Sequence, residues 1–137
     1  MNSVHFSQTD DLVGTICQKT GFSQAASIPA NSRIIITAGQ AGFDLKTGIL
    51  VETSVEDQIS AAFDCVDAAL RSAGVKDGLA SVHKMVSYFT DARNEPLMME
   101  IWRKRYPDLR PTWTAIGVAG LCLKGMVVEF QAEATIL

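Results

Sequence analysis

The chain has 137 residues, 47% of them hydrophobic and 20% charged, with a formal net charge of −3. That size and apolar content fit a single domain over 1–137 with a real core, and the acidic balance leaves no electrostatic footprint for nucleic acid. No apolar run approaches the length of a bilayer span, and the segment up to Asp11 lacks the basic start and apolar stretch of a secretory signal, so a cytoplasmic protein without membrane contact is expected.

In chain order, the first predicted element is a strand over Ser32–Ala38, rich in β-branched residues and nearly continuous in apolar character, which suits a strand covered on both faces. Gly39 and Gly42 bracket its end. Lys46-Thr47-Gly48 marks a turn back into a short strand at Ile49-Leu50-Val51. Ser54–Gly74 reads as the main helix, with Ser54 as N-cap, Glu56 and Asp57 in the first turn and Gly74 as the stop. Ile59, Phe63, Val66 and Leu70 share one helical face and predict a core stripe.

A second central strand is expected over Ser81–Thr90. Asn94-Glu95-Pro96 opens a shorter helix whose apolar side is Leu97, Met98, Ile101 and Trp102. Pro107 and Pro111 bracket an extended connector, followed by strands over Trp113–Val118 and Gly125–Ile136. In the last strand Met126, Val128, Phe130, Ala132, Ala134 and Ile136 alternate with Val127, Glu129, Gln131, Glu133 and Thr135. The first set can pack under helices. The second places a polar line on what should be a central strand, so a neighbouring subunit is the economical cover.

Cys17, Cys65 and Cys122 are odd in number and widely spaced, with no Cys-x-x-Cys pair, so neither a disulfide framework nor a metal site is expected. Such thiols suit a reducing compartment. The basic run Arg103-Lys104-Arg105 closes a helix, where cations complement the dipole and usually face solvent. His83 alternates with strand residues and reads as a structural histidine.

Four segments carry a resemblance: Gly21-Phe22-Ser23-Gln24-Ala25, then Ile34-Ile35-Ile36-Thr37-Ala38-Gly39-Gln40, then Asp44 with Lys46-Thr47-Gly48, then Arg110-Pro111-Thr112-Trp113-Thr114-Ala115 with Glu129 downstream. In order and spacing they resemble the Rid/YjgF family of reactive intermediate deaminases, also labelled L-PSP endoribonuclease-like, from about Gly21 to Ala134. The resemblance implies an α+β, chorismate-mutase-like fold: two helices on one face of a mixed six-stranded sheet, assembled into a homotrimeric barrel with active sites between subunits. It implies a small-molecule substrate and no cofactor.

The same resemblance places Glu129 as the catalytic carboxylate, able to hold a water and pass a proton in imine hydrolysis. It places Phe22, Ala38, Gly39, Gln40, Met99, Trp113, Thr114 and Ala115 at the substrate site. Here the chain departs from the family. Trp113 stands where an arginine would clamp a substrate carboxylate, and one indole N–H cannot replace that bidentate contact. Phe22 replaces a tyrosine, Ala38 a serine, Met99 an asparagine, and Ala115 a frequent cysteine. These losses point to a larger, less polar ligand than a 2-imino acid. Arg110 is a weak substitute cation. Trp113 is as readily core as pocket wall, and Glu129 as readily an interface residue as a catalyst. The readings left open are an imine or enamine hydrolase or tautomerase, a hydrolase or isomerase of a secondary or catabolic pathway, and a non-catalytic ligand- or protein-binding trimer.

Overall fold

The computed structural model describes residues 3–137. Its elements run β1 (His5–Ser7), α1 (Leu12–Thr20), β2 (Ala25–Ser27), β3 (Arg33–Ile36), β4 (Gln40–Ala41), α2 (Val55–Ser72), β5 (Val82–Phe89), α3 (Glu95–Arg105), β6 (Thr112–Gly117) and β7 (Val128–Ile136). Strands β3, β7, β5 and β6 form the sheet in that order, with β4 also paired to β7. The β5–β6 pair is parallel, joined through α3, and the remaining pairs are antiparallel. In place of the expected six-stranded sheet there are seven strands among the described residues, five in the mixed sheet and two in a separate β1–β2 ribbon.

The core forms where the helix stripe meets the sheet. Ile59, Phe63, Val66 and Leu70 of α2 are all fully buried, against Val128, Phe130, Ala132 and Ala134 of β7. Helix α2 starts where the sequence predicts, because the Ser54 side chain accepts the Asp57 N–H at 3.0 Å. Helix α3 adds Met98, Met99, Ile101 and Trp102 to the core.

Three local expectations change. Strand β3 lies at the sheet edge rather than between two covers, and Ile36 is 61% exposed. An apolar run predicts burial, but Ile34 and Ile36 lie on a face that no other part of the described chain covers. Ile49–Val51 makes only an isolated bridge, Phe43 to Leu50. Helix α1 was not predicted, because its apolar residues are exposed: Leu12, Val13 and Ile16 face outward while Gly14 and Cys17 face in. Its start is nonetheless encoded locally, since Asp11 Oδ1 accepts the Gly14 N–H at 3.0 Å and the Thr9 hydroxyl at 2.7 Å.

Two fastenings position the site. Gln58, buried in α2, donates to the carbonyls of Val51 and Gly125 and accepts from Val127 N–H at 2.7 Å. It ties the loop after β4 to the start of β7. The basic run ending α3 is not simply solvated. Arg103 donates to the Thr20 carbonyl, and Arg105 reaches Asp64 at 2.8 Å while lying over the Phe63 ring. These contacts hold α3 against both α1 and α2.

Candidate functional site

Alternation along the strands divides the predicted site residues between two faces. Trp113 sits on β6 in register with Met85, and its indole N–H donates to Ser87 Oγ at 2.7 Å. The Ser87 hydroxyl donates in turn to Met98 Sδ at 3.1 Å. The indole meets Trp102 and Phe63 edge-on, with centroids 4.9 and 6.3 Å apart. Trp113 is therefore packed against the core on one side. On its other side it lines a cavity of about 310 Å³ with Phe22, Ala92, Glu95, Met99 and Ala115. It is core and pocket wall at once.

A second hollow of about 470 Å³ shares Glu95 and Met99 with this cavity as wall residues. The outer hollow adds Ile16, Lys19, Thr20, Pro96 and Arg103. The two adjacent hollows, together the cleft, are walled by the edge strand β6, the first turn of α3 and the end of α1. Gly21 packs closely against the cleft residue Met99. There φ is +128°, and an added Cβ would lie 2.8 Å from Met99 Cε.

Glu129 lies on the opposite face. In β7 its neighbours Val128 and Phe130 are fully buried beneath the helices, so its own side chain projects the other way. There it is in register with Ala41 and Tyr88. A Cβ on Gly39 would come within 2.7 Å of the Glu129 carboxyl carbon and one of its oxygens, so the carboxylate rests over the bare glycine backbone. Gly39 and Glu129 are together. Ala38 is exposed and its carbonyl accepts from Gln40 Nε2 at 3.4 Å. Gln40 is in register with Phe130 and lines a groove beside Cys65, Ala68 and Ala69 of α2, away from both Glu129 and Trp113. Thr114, between Trp113 and Ala115, points to the Glu129 face, in register with Val86.

Within this chain the expected residues therefore fall into two groups, Phe22, Met99, Trp113 and Ala115 around the cleft and Gly39 with Glu129 on the open face, while Ala38 and Gln40 join neither. Arg110 does not reach the cleft; its Nε donates to the Gln18 carbonyl at 2.9 Å. Sequence reading missed Tyr88, which strand pairing places across from Glu129, and Ala92 and Glu95, which line the cleft. For Tyr88 the signal was present in the period-2 alternation of β5, but its partner is set by register.

The open face holds a further cluster. His83 Nδ1 lies 2.6 Å from Thr135 Oγ1 and Nε2 lies 3.6 Å from Glu133, which also pairs with Lys84 at 3.3 Å. Burial holds the imidazole pKa below its ordinary value, against the opposing pull of Glu133. Burial likewise pushes the Cys65 thiol up, consistent with an inert core sulfhydryl.

A family model described as Endoribonuclease L-PSP matches residues 15–136. A RutC family protein of Pyrococcus horikoshii is 31% identical over 113 residues, covering 82% of this chain and 85% of its own. Among solved structures, Yersinia pestis YyfB, a protein of the conserved Rid family, matches with a TM-score of 0.82 at 21% identity, over 99% of this chain and 100% of its own. Escherichia coli TdcF, solved with bound serine, gives 0.66 at 23% identity, over 80% and 85% of the two chains. The Escherichia coli YjgF gene product gives 0.64 at 23%, over 78% and 83%. These three structures share the fold. With the strand order, the glycine under Glu129 and the family match across nearly the whole chain, the protein belongs to the Endoribonuclease L-PSP family, the Rid/YjgF group.

Proposed function

We propose that this protein is a homotrimer that hydrolyses or tautomerises an imine, enamine or related reactive metabolite in a cleft between subunits, acting on a more apolar substrate than a 2-imino acid. The observation that carries the reading is the seat of Glu129, a half-buried carboxylate held over Gly39 on a sheet face that one subunit leaves open. Because the Trp113 cleft and Glu129 occupy opposite faces of one sheet, chemistry that uses both requires a neighbouring subunit to supply the second half. The exposed Ile34, Ile36 and Ile116 give such a neighbour an apolar surface to cover.

In hydrolysis, Glu129 accepts a proton from water as the water oxygen bonds to the imine carbon, and passes that proton to the imine nitrogen to give a neutral carbinolamine. The carbinolamine then collapses: its hydroxyl proton is carried to nitrogen, the C–N bond breaks, ammonia or an amine leaves, and a carbonyl remains. In tautomerisation the same carboxylate moves a proton between carbon and nitrogen. Neither step needs a cofactor.

The pocket supports the altered substrate. Relative TdcF holds serine, a small polar amino acid. Here Trp113 offers no second donor to a carboxylate, because its single N–H is already given to Ser87. Phe22 and Met99 add apolar wall. The test is a panel of imines generated in situ and followed by carbonyl release, with wild type and Glu129→Ala. Turnover of aromatic or branched imines, lost in Glu129→Ala, supports the reading. Equal rates in both proteins would remove the catalytic role and leave a ligand-binding trimer.

A further inference from the structure

Glu95 is the feature of the cleft that the proposed chemistry does not use. It stands in the first turn of α3, half-buried, and lines both hollows. A carboxylate in a helix's first turn complements the dipole, which explains its tolerance there but not its place on a cavity wall. Among the described residues it has no ion-pair partner within 4.0 Å, although the cleft contains two cations. Arg103 is held by the Thr20 carbonyl, and Lys19 is exposed at the outer rim. The inner hollow is bounded by Phe22, Met99, Trp113 and two alanines, so Glu95 is its one charged wall.

We infer that the inner cleft selects a cationic nitrogen: a primary amine or protonated imine carried on an aromatic or branched apolar body, with the nitrogen on Glu95 and the body against Trp113. This rests on reading the cleft as the ligand site and names the ligand class for it. The charge preference of the pocket is then reversed at the same place where the family arginine is absent. A cation beside a half-buried carboxylate forms a charge-assisted hydrogen bond, and an aromatic face nearby adds cation–π attraction. An anion in the same hollow meets Glu95, while the one donor side chain in its lining, Trp113, already gives its N–H to Ser87.

The test is binding of phenethylamine and 3-phenylpropionate by calorimetry, with tryptophan fluorescence as a second readout, since Trp113 is one of only two tryptophans. The amine should bind at least ~10-fold more tightly than the acid, about 1.4 kcal/mol. Glu95→Gln should erase that preference, and Ala115→Phe, which fills the inner hollow, should abolish amine binding. Thermal melts of both variants guard against misfolding. Equal or tighter binding of the acid, a preference that survives in Glu95→Gln, or no binding of either compound overturns the inference. Binding is read without turnover, so the amine preference and its loss in Glu95→Gln stand or fall independently of any failure of the proposed catalysis.

Discussion

Trp113 and Glu129 project from opposite faces of one sheet: the indole N–H of Trp113 donates to Ser87 Oγ at 2.7 Å under the helices, while Glu129 stands across from Tyr88 on the open face. Ser87 and Tyr88 are consecutive in β5, so the pleat itself separates the two groups. Within one chain the two side chains cannot meet on one substrate.

Trp113→Phe should destabilise the fold by about 1–2 kcal/mol, through the lost hydrogen bond and the lost edge contact with Trp102. Ser87 keeps its bond to Met98 in that variant, which limits the cost. Urea denaturation measures it. No change in midpoint would mean that the indole N–H is satisfied equally well by water.

Gly39→Ala places a methyl where the Glu129 carboxylate now rests, 2.7 Å away. The clash is with the end of a flexible side chain, so stability should fall by less than about 1 kcal/mol. Turnover should fall by at least ~10-fold, because a displacement of the proton-handling group by an ångström is costly. Combining it with Glu129→Ala should give no additional loss of turnover; additive losses would place the effect of Gly39 elsewhere.

Ile36→Lys sets a charge on the exposed edge of the open face and should dissociate the proposed homotrimer, read by light scattering coupled to gel filtration. Turnover should disappear with it, while the far-ultraviolet dichroism stays. A variant that elutes as wild type would direct the interface to another surface.

His83 predicts a pH dependence with a definite sign. Its folded pKa is depressed by burial, so the unfolded chain binds the proton first. The contribution is fully present above about 6.5, the ordinary histidine value, and is lost as pH falls from there towards the folded pKa. His83→Gln should flatten that part of a stability profile taken between about pH 7.5 and 5.5. An unchanged slope would assign it to carboxylates.

Gln58→Leu removes one acceptor and two donor contacts inside the fold and leaves Val127 N–H without its partner. A loss of about 2–4 kcal/mol is expected in thermal or urea unfolding. A cost below 1 kcal/mol would show that water replaces the amide.

Helix α2, strand β5 and strand β7 were legible in the residues, since each carries a clear period and a stop or cap: Ser54 before the helix, alternation through Phe130, Asp91 after β5. The family was legible from the order of its motifs. Helix α1 was not, because its apolar side faces outward and only Asp11 marks its start. The burial of β3 was misread for a related reason: Ile34 and Ile36 are apolar on a face that no other part of the described chain covers.

For the candidate site, the sequence by itself determined the residue types: an apolar Phe22, Met99 and Trp113, no second donor at position 113, and a carboxylate at 129. Only the tertiary structure decided their grouping. Strand register put Tyr88 beside Glu129 and Ser87 beside Trp113, and the crossover through α3 brought Glu95 onto the cleft wall. Residue chemistry is local and travels with the sequence. Which face a side chain occupies is set by long-range pairing, and a shift of one residue would exchange the two groups.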